Sequence, residues 1–254
     1  MIRTIASSTL RFVEHGTGRP VVVLHGAGVD HREAEACFEP GLDRPGVRRI
    51  YLDLPGMGQT PADESIRSAA DVVAVLVGFI EALAEESVLL VGHSAGGYLA
   101  QAVASRAEHR VAGMALVCPM LASARDLPHH RPVVAAPELG DEGFRDYFVV
   151  QTPEMLDRYE RFVAPALMLA DGAFSERIGA AWEVDTSGAV PGPVLVVAGR
   201  QDSTAGSAAA VGLVGQYPHA TLAVLDRAGH ALPHEQPAIL DALLQEWLGR
   251  AAPS

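Results

Sequence analysis

Six short apolar runs constrain the fold of this chain more than any other feature. They span residues 21–24, 48–52, 88–91, 112–117, 194–198 and 220–225, are rich in Val, Leu or Ile, and are bounded by Gly, Pro or Asp. Near-continuous apolar runs without polar alternation suit strands buried on both faces, and such strands belong to a parallel sheet. Parallel neighbours need crossovers, and helical patterns fill the intervals. Residues 69–83 carry Val72, Val73, Leu76, Phe79, Ile80 and Leu83 at helical spacing behind Ser68, which reads as an N-cap. Residues 98–105, 206–216 and 238–248 read similarly, with Trp247 as a core anchor in the last. Residues 9–13 read as an antiparallel edge strand ending at the His15-Gly16-Thr17-Gly18 turn. The expected class is α/β, a mostly parallel sheet flanked by helices with right-handed crossovers.

One stretch breaks the alternation. Residues 119–192 contain no good buried strand but hold Pro128, Pro132, Pro137, Pro153 and Pro165, with helix-like segments at 142–150, 153–162 and 166–178. This reads as a helical insertion over one end of the sheet, dividing a core of residues 1–118 and 193–254 from an inserted 119–192. The tail, residues 251–254, reads as loose.

Composition removes several functional classes. Of 254 residues, 49% are apolar and 20% charged, which excludes wholesale disorder. With 19 basic against 31 acidic residues the net charge is −12. That balance argues against nucleic acid and against an anionic membrane surface as partner. Every basic residue is Arg, so mechanisms needing a Lys Schiff base or a phosphate-loop Lys are excluded. Cys37 and Cys118 fit no metal spacing and read as reduced, small hydrophobes. Neighbouring His129 and His130 lack surrounding Asp, Glu or Cys, so no metal is expected. Residues 1–8 show no apolar signal region, and no apolar stretch approaches the ~20 residues that span a bilayer. The expected setting is cytoplasmic.

The chemistry concentrates in Gly92-His93-Ser94-Ala95-Gly96, which follows the apolar run at 88–91 and precedes a helical pattern. A strand-to-helix turn this tight needs small residues two positions to either side and holds the serine in a strained backbone. The Ala95 N–H then points from a helix N-terminus to where an oxyanion would form. A serine hydroxyl needs a base. Among ten histidines His230 is best placed, in Asp226-Arg227-Ala228-Gly229-His230 after the last strand-like run. Asp202, following the run at 194–198 through Gly199-Arg200-Gln201, is the preferred carboxylate, with Asp53 and Asp226 as rivals. The second oxyanion donor is assigned to the Ala27 N–H in His25-Gly26-Ala27-Gly28, with Gly28 as the alternative. His25 reads as fixing its own loop, and His93 as packed behind the site.

Together with Asp53-Leu54-Pro55-Gly56-Met57-Gly58, these pieces make the chain resemble the α/β-hydrolase fold superfamily along essentially its whole length. The resemblance implies a mostly parallel eight-stranded sheet with a helical cap inserted after strand six. It also implies a Ser-His-Asp mechanism on Ser94, His230 and Asp202 with no cofactor. Met57 stands where many relatives carry His, and Ser94 where dehalogenases and epoxide hydrolases carry Asp.

The inserted stretch carries Phe144, Tyr147, Phe148, Tyr159, Phe162, Phe174 and Trp182. Phe144, Tyr147 and Phe148, with Gly28 and His93, are the expected pocket residues. Arg32 and Arg200 read as solvated surface residues. The expected function is hydrolysis of a small or medium, largely apolar ester, lactone or related acyl compound, with the protein as monomer or homodimer. The alternatives are carbon–carbon bond hydrolysis or lyase chemistry on the same scaffold, and a low-turnover ligand receptor.

Overall fold

A computed structural model of the chain describes residues 1–5, 8–83, 87–121 and 127–251. Eight strands form one sheet: β1 (Ile2–Ile5), β2 (Ser8–His15), β3 (Arg19–Leu24), β4 (Val47–Leu52), β5 (Val88–His93), β6 (Val111–Val117), β7 (Val194–Gly199) and β8 (Ala220–Leu225). Their order is β1-β2-β4-β3-β5-β6-β7-β8. β1 and β2 are antiparallel to their neighbours, and β3 to β8 run parallel. All six apolar runs are strands of this sheet. β5 and β7 are buried at every position, as unbroken apolar runs require.

Period-two alternation sorts the strand side chains between two helical layers. Val21, Val23, Leu89, Val91, Leu195 and Val197 face α1 (His31–Leu42) and the C-terminal helix Pro237–Ala251. Val22, Leu24, Leu90, Val194 and Val196 face α2 (Ala69–Glu81), α3 (Ala95–Arg106) and the helix Ser207–Gln216. Ser68 caps α2, its Oγ accepting from the Asp71 N–H at 3.2 Å. Trp247 is fully buried and donates its Nε1–H to the Pro193 carbonyl at 3.0 Å. β1 was not anticipated, and β2 is longer at both ends than residues 9–13.

Between β6 and β7 lie α4 (Glu142–Tyr147), α5 (Pro153–Arg158), a π-helical turn (Tyr159–Val163), α6 (Ala164–Leu167) and α7 (Gly172–Gly179). Two expected helices are corrected. The one at 142–150 stops at Tyr147, and Phe148 is extended because the Val149 and Val150 N–H groups donate to the Glu235 carboxylate instead. The one at 166–178 is two helices, because Asp171 starts afresh by accepting from the Phe174 N–H at 2.9 Å. Residues 122–126 of the insertion and 252–254 of the tail fall outside the described residues. Beyond α7 the chain completes with α8 (Ser207–Gln216), α9 (Leu232–Glu235) and α10 (Pro237–Ala251). No helix among the described residues is long and apolar enough to cross a membrane.

Candidate active site

The turn from β5 into α3 is built by exclusion. A Cβ on Gly96 would collide with the carbonyl oxygens of Leu24 and His25, and one on Gly92 with the backbone of Gly96 and Gly97. Only glycine lets the helix start this close to β3. Ser94, between them, has φ 54°, a left-handed conformation that a non-glycine residue adopts at an energetic cost. It is the N-cap of α3 and is 5% exposed.

His230 sits in the loop from β8 to α9, and its Nε2 lies 2.8 Å from Ser94 Oγ. Its Nδ1 lies 3.0 Å and 3.2 Å from the two Asp202 oxygens. Burial pushes the Asp202 carboxyl up, but the His230 hydrogen bond and charge and the Ala205 and Thr204 N–H groups outweigh it and hold it at about 2. An ionised Asp202 can only accept, so Nδ1 carries the ring proton and Nε2 offers its lone pair to the Ser94 hydroxyl. The rival carboxylates are committed elsewhere. Asp53 accepts from the His31 N–H, the His31 ring and the Gln59 N–H at 2.8–2.9 Å. Asp226 accepts from the Gln201 amide at 2.8 Å.

Three flanking histidines have structural partners. His93 Nε2–H donates to the His230 carbonyl at 3.0 Å, and the two rings stand 5.1 Å apart. Burial, then the charge of His230, holds His93 down at about 4, so it is neutral. His25 donates through Nδ1 to the Gly26 carbonyl at 2.7 Å and accepts the Leu54 N–H at Nε2 at 2.9 Å, which pins the Ala27 loop to the turn after β4. Buried His234 accepts from Arg158 Nε–H at Nδ1 and donates from Nε2 to Glu33, both at 3.0 Å. Glu33, Cys37 and His234 stand close enough to share an ion. Both ring nitrogens of His234 are already used, so an ion would have to break these bonds. His129 and His130 belong to no cluster of possible ligands among the described residues.

Two cavities meet the site. One of about 170 Å³ is walled by Ser94, His230, His93, Ala27, Tyr147, Tyr159 and Leu167. The other, about 90 Å³, shares Ala27 with the first and is walled by Ala95, Leu54, Met57, Leu99, Ile178 and Trp182, with Ser175 beside them. Of the expected pocket residues, His93 and Tyr147 reach a wall, and the Tyr147 ring is 6.4 Å from that of His230. Phe144 and Phe148 do not. They are fully buried against Tyr159, Met155 and Val163, because a short helical insertion needs large rings for its own core. Gly28, at φ 79°, sits behind Leu167 rather than on the wall. Ala27 lines both cavities, and Ala95, which opens α3, lines the smaller one. Arg32 pairs with Asp30, and Arg200 is exposed. Sequence reasoning missed the wall residues Val29, Val163 and Leu167, which carry no signature beyond being apolar. It also missed Glu235.

A model described as the alpha/beta hydrolase family matches residues 21–243. The dihydrolipoyllysine-residue acetyltransferase component of an acetoin cleaving system from Cupriavidus necator is 32% identical over 94% of this chain. The match covers 66% of that protein, so the chain spans just under two thirds of its length. An (E)-2-((N-methylformamido)methylene)succinate hydrolase from Acinetobacter baylyi is 25% identical over 94% of each chain. Among solved structures, an alpha/beta superfamily hydrolase from Oenococcus oeni PSU-1 aligns over 99% of both chains with a TM-score of 0.87 at 24% identity, a likeness of fold.

Proposed function

The chain belongs to the alpha/beta hydrolase family, and from that premise we propose that it is a serine hydrolase of small, neutral, largely apolar esters, thioesters or lactones. The observation that carries this reading is the unbroken chain from Ser94 Oγ to His230 Nε2 at 2.8 Å and from His230 Nδ1 to Asp202 at 3.0 Å. Ser94 Oγ attacks the substrate carbonyl as its proton passes to Nε2. The N–H groups of Ala95 and Ala27 hold the oxyanion. Collapse breaks the bond to the leaving oxygen or sulfur, which takes the proton from Nε2, and an acyl-Ser94 ester remains. Water, giving a proton to Nε2, attacks that ester and releases the acid, restoring Ser94.

Wall chemistry supports the substrate class. Neither cavity has an Arg, Asp or Glu on its walls among the described residues. The Acinetobacter relative is named for a succinate, a dicarboxylate. Nothing comparable would be countered by charge here. Only the larger cavity contains His230, the proton donor, so the leaving group occupies it. The acyl chain then points across Ala27 and Ala95 into the smaller one, which limits it to a few carbons. Residues 119–192 act as a cap that roofs the site on a core of 1–118 and 193–254. No cofactor enters the scheme, and the acidic net charge of −12 fits a small-molecule partner in a cytoplasmic setting better than nucleic acid or membrane.

Purified protein should hydrolyse acetyl and propanoyl esters and be labelled by a fluorophosphonate at Ser94. Ser94→Ala should lose turnover by ~10³-fold or more with its melting temperature preserved. Undiminished hydrolysis by that variant would overturn the reading. Rapid labelling without turnover of any ester would favour a ligand receptor.

A further inference from the structure

Glu235, the last residue of α9, is a nearly buried carboxylate that forms no ion pair with a cationic side chain among the described residues. Three backbone donors satisfy it instead. Oε2 accepts from the Gly229 N–H at 2.6 Å. Oε1 accepts from the Val149 N–H at 2.7 Å and the Val150 N–H at 3.0 Å. Gly229 directly precedes His230. Val149 and Val150 follow Tyr147 and Phe148, and Tyr147 lines the larger cavity and stands edge-on to the His230 ring. One carboxylate therefore joins the peptide that carries the base to the peptide that carries the opposite wall. Loop and insertion approach so closely here that a Cβ on Gly229 would meet Val149 Cγ1 at 2.8 Å. Hydrogen bonds to an ionised acceptor are short and about twice as strong as neutral ones, which suits a fixed distance.

We propose that Glu235 is a positioning residue that holds His230 and the Tyr147 wall in one register, so that the imidazole meets a leaving group seated against the insertion. This rests on the serine hydrolase reading above. The chemistry of the clamp needs an acceptor at both ends. In Glu235→Gln one end becomes an N–H₂ group, which opposes either the Gly229 N–H or the two valine N–H groups. In Glu235→Asp both acceptors remain but the side chain is one methylene too short to span. The insertion stays docked in both variants through Arg158 to His234 and the packing of Phe148 on His234.

The test compares both variants with the wild type by active-site titration with a fluorophosphonate and by hydrolysis of paired esters of one acid. A nitrophenyl leaving group departs without a proton, whereas an alkyl alcohol needs one from Nε2. Full labelling stoichiometry is expected, with kcat per labelled site lower by ~10-fold for the nitrophenyl ester and ~100-fold for the alkyl ester, and KM little changed. A merely structural role would lower the labelled fraction and leave kcat per labelled site and the ratio between the two esters unchanged. That result overturns the proposal, as does failure of both variants to fold. If the wild type is never labelled, the serine hydrolase reading itself fails.

Discussion

At the scale of single residues, burial and hydrogen bonding assign the protonation states before any substrate arrives. His93 is the clearest case. It is 1% exposed, held at about 4, and must give up its proton to fold at any pH between that value and the ordinary histidine range. The folded value lies below the unfolded one, so its contribution to stability is present above about 6.5 and is lost as pH falls toward 4. Glu33 and Asp202, each held at about 2, add losses only below the ordinary carboxylate range. His93→Gln keeps an N–H donor for the His230 carbonyl and removes the titration. In urea melts the stability advantage of wild type over His93→Gln should shrink by roughly 3 kcal/mol between pH 6.5 and pH 4. A difference that stays constant over that range would mean His93 is not the buried neutral group described. Ser94, His230 and Asp202, the members of the hydrogen-bonded chain, can be picked from the sequence because each follows a strand-like run at the same sheet edge. Glu235 cannot, since nothing in an Ala-Leu-Pro-His-Glu stretch says which N–H groups will converge on its carboxylate.

At the scale of elements, strands are easier to read than the insertion. Runs such as Val88-Leu89-Leu90-Val91 are apolar on both faces, and only a central parallel strand satisfies that. Ile2–Ile5, half exposed at the sheet edge, has no such pattern and escapes notice. In the insertion, capping decides the boundaries, and Asp171 splits one apparent helix into two. Wall and core aromatics share one spacing. Tyr147 reaches the cavity while Phe144 and Phe148 turn into the cluster with Met155, Tyr159 and Val163. α7 carries a consequence for specificity. Ser175 is only half-buried yet faces the smaller cavity, so a larger side chain there fills the space without disturbing the core. Ser175→Leu should hydrolyse acetyl esters at near wild-type rate and lose ~10-fold or more on butanoyl esters of the same alcohol. An unchanged acyl preference would place the acyl chain elsewhere.

For the whole molecule, the sheet acts as a ruler. β5, β7 and β8 end at one edge, so Ser94 arrives within hydrogen-bond distance of His230, 136 residues away, and His230 within that distance of Asp202. The two helical layers fix the strands, and Tyr147, Tyr159, Val163 and Leu167, from between β6 and β7, wall the cavity beside Ser94 and His230. On the proposed function, this convergence makes Ser94 a covalent nucleophile. Acid-quenched reaction with a propanoyl ester, followed by peptide mass analysis, tests it most directly. A propanoyl group should appear on Ser94 at the rate of the first turnover, disappear when ester is exhausted, and never form in Ser94→Ala. Steady hydrolysis with Ser94 unmodified at every quench time, or an acyl group on another residue, would contradict it.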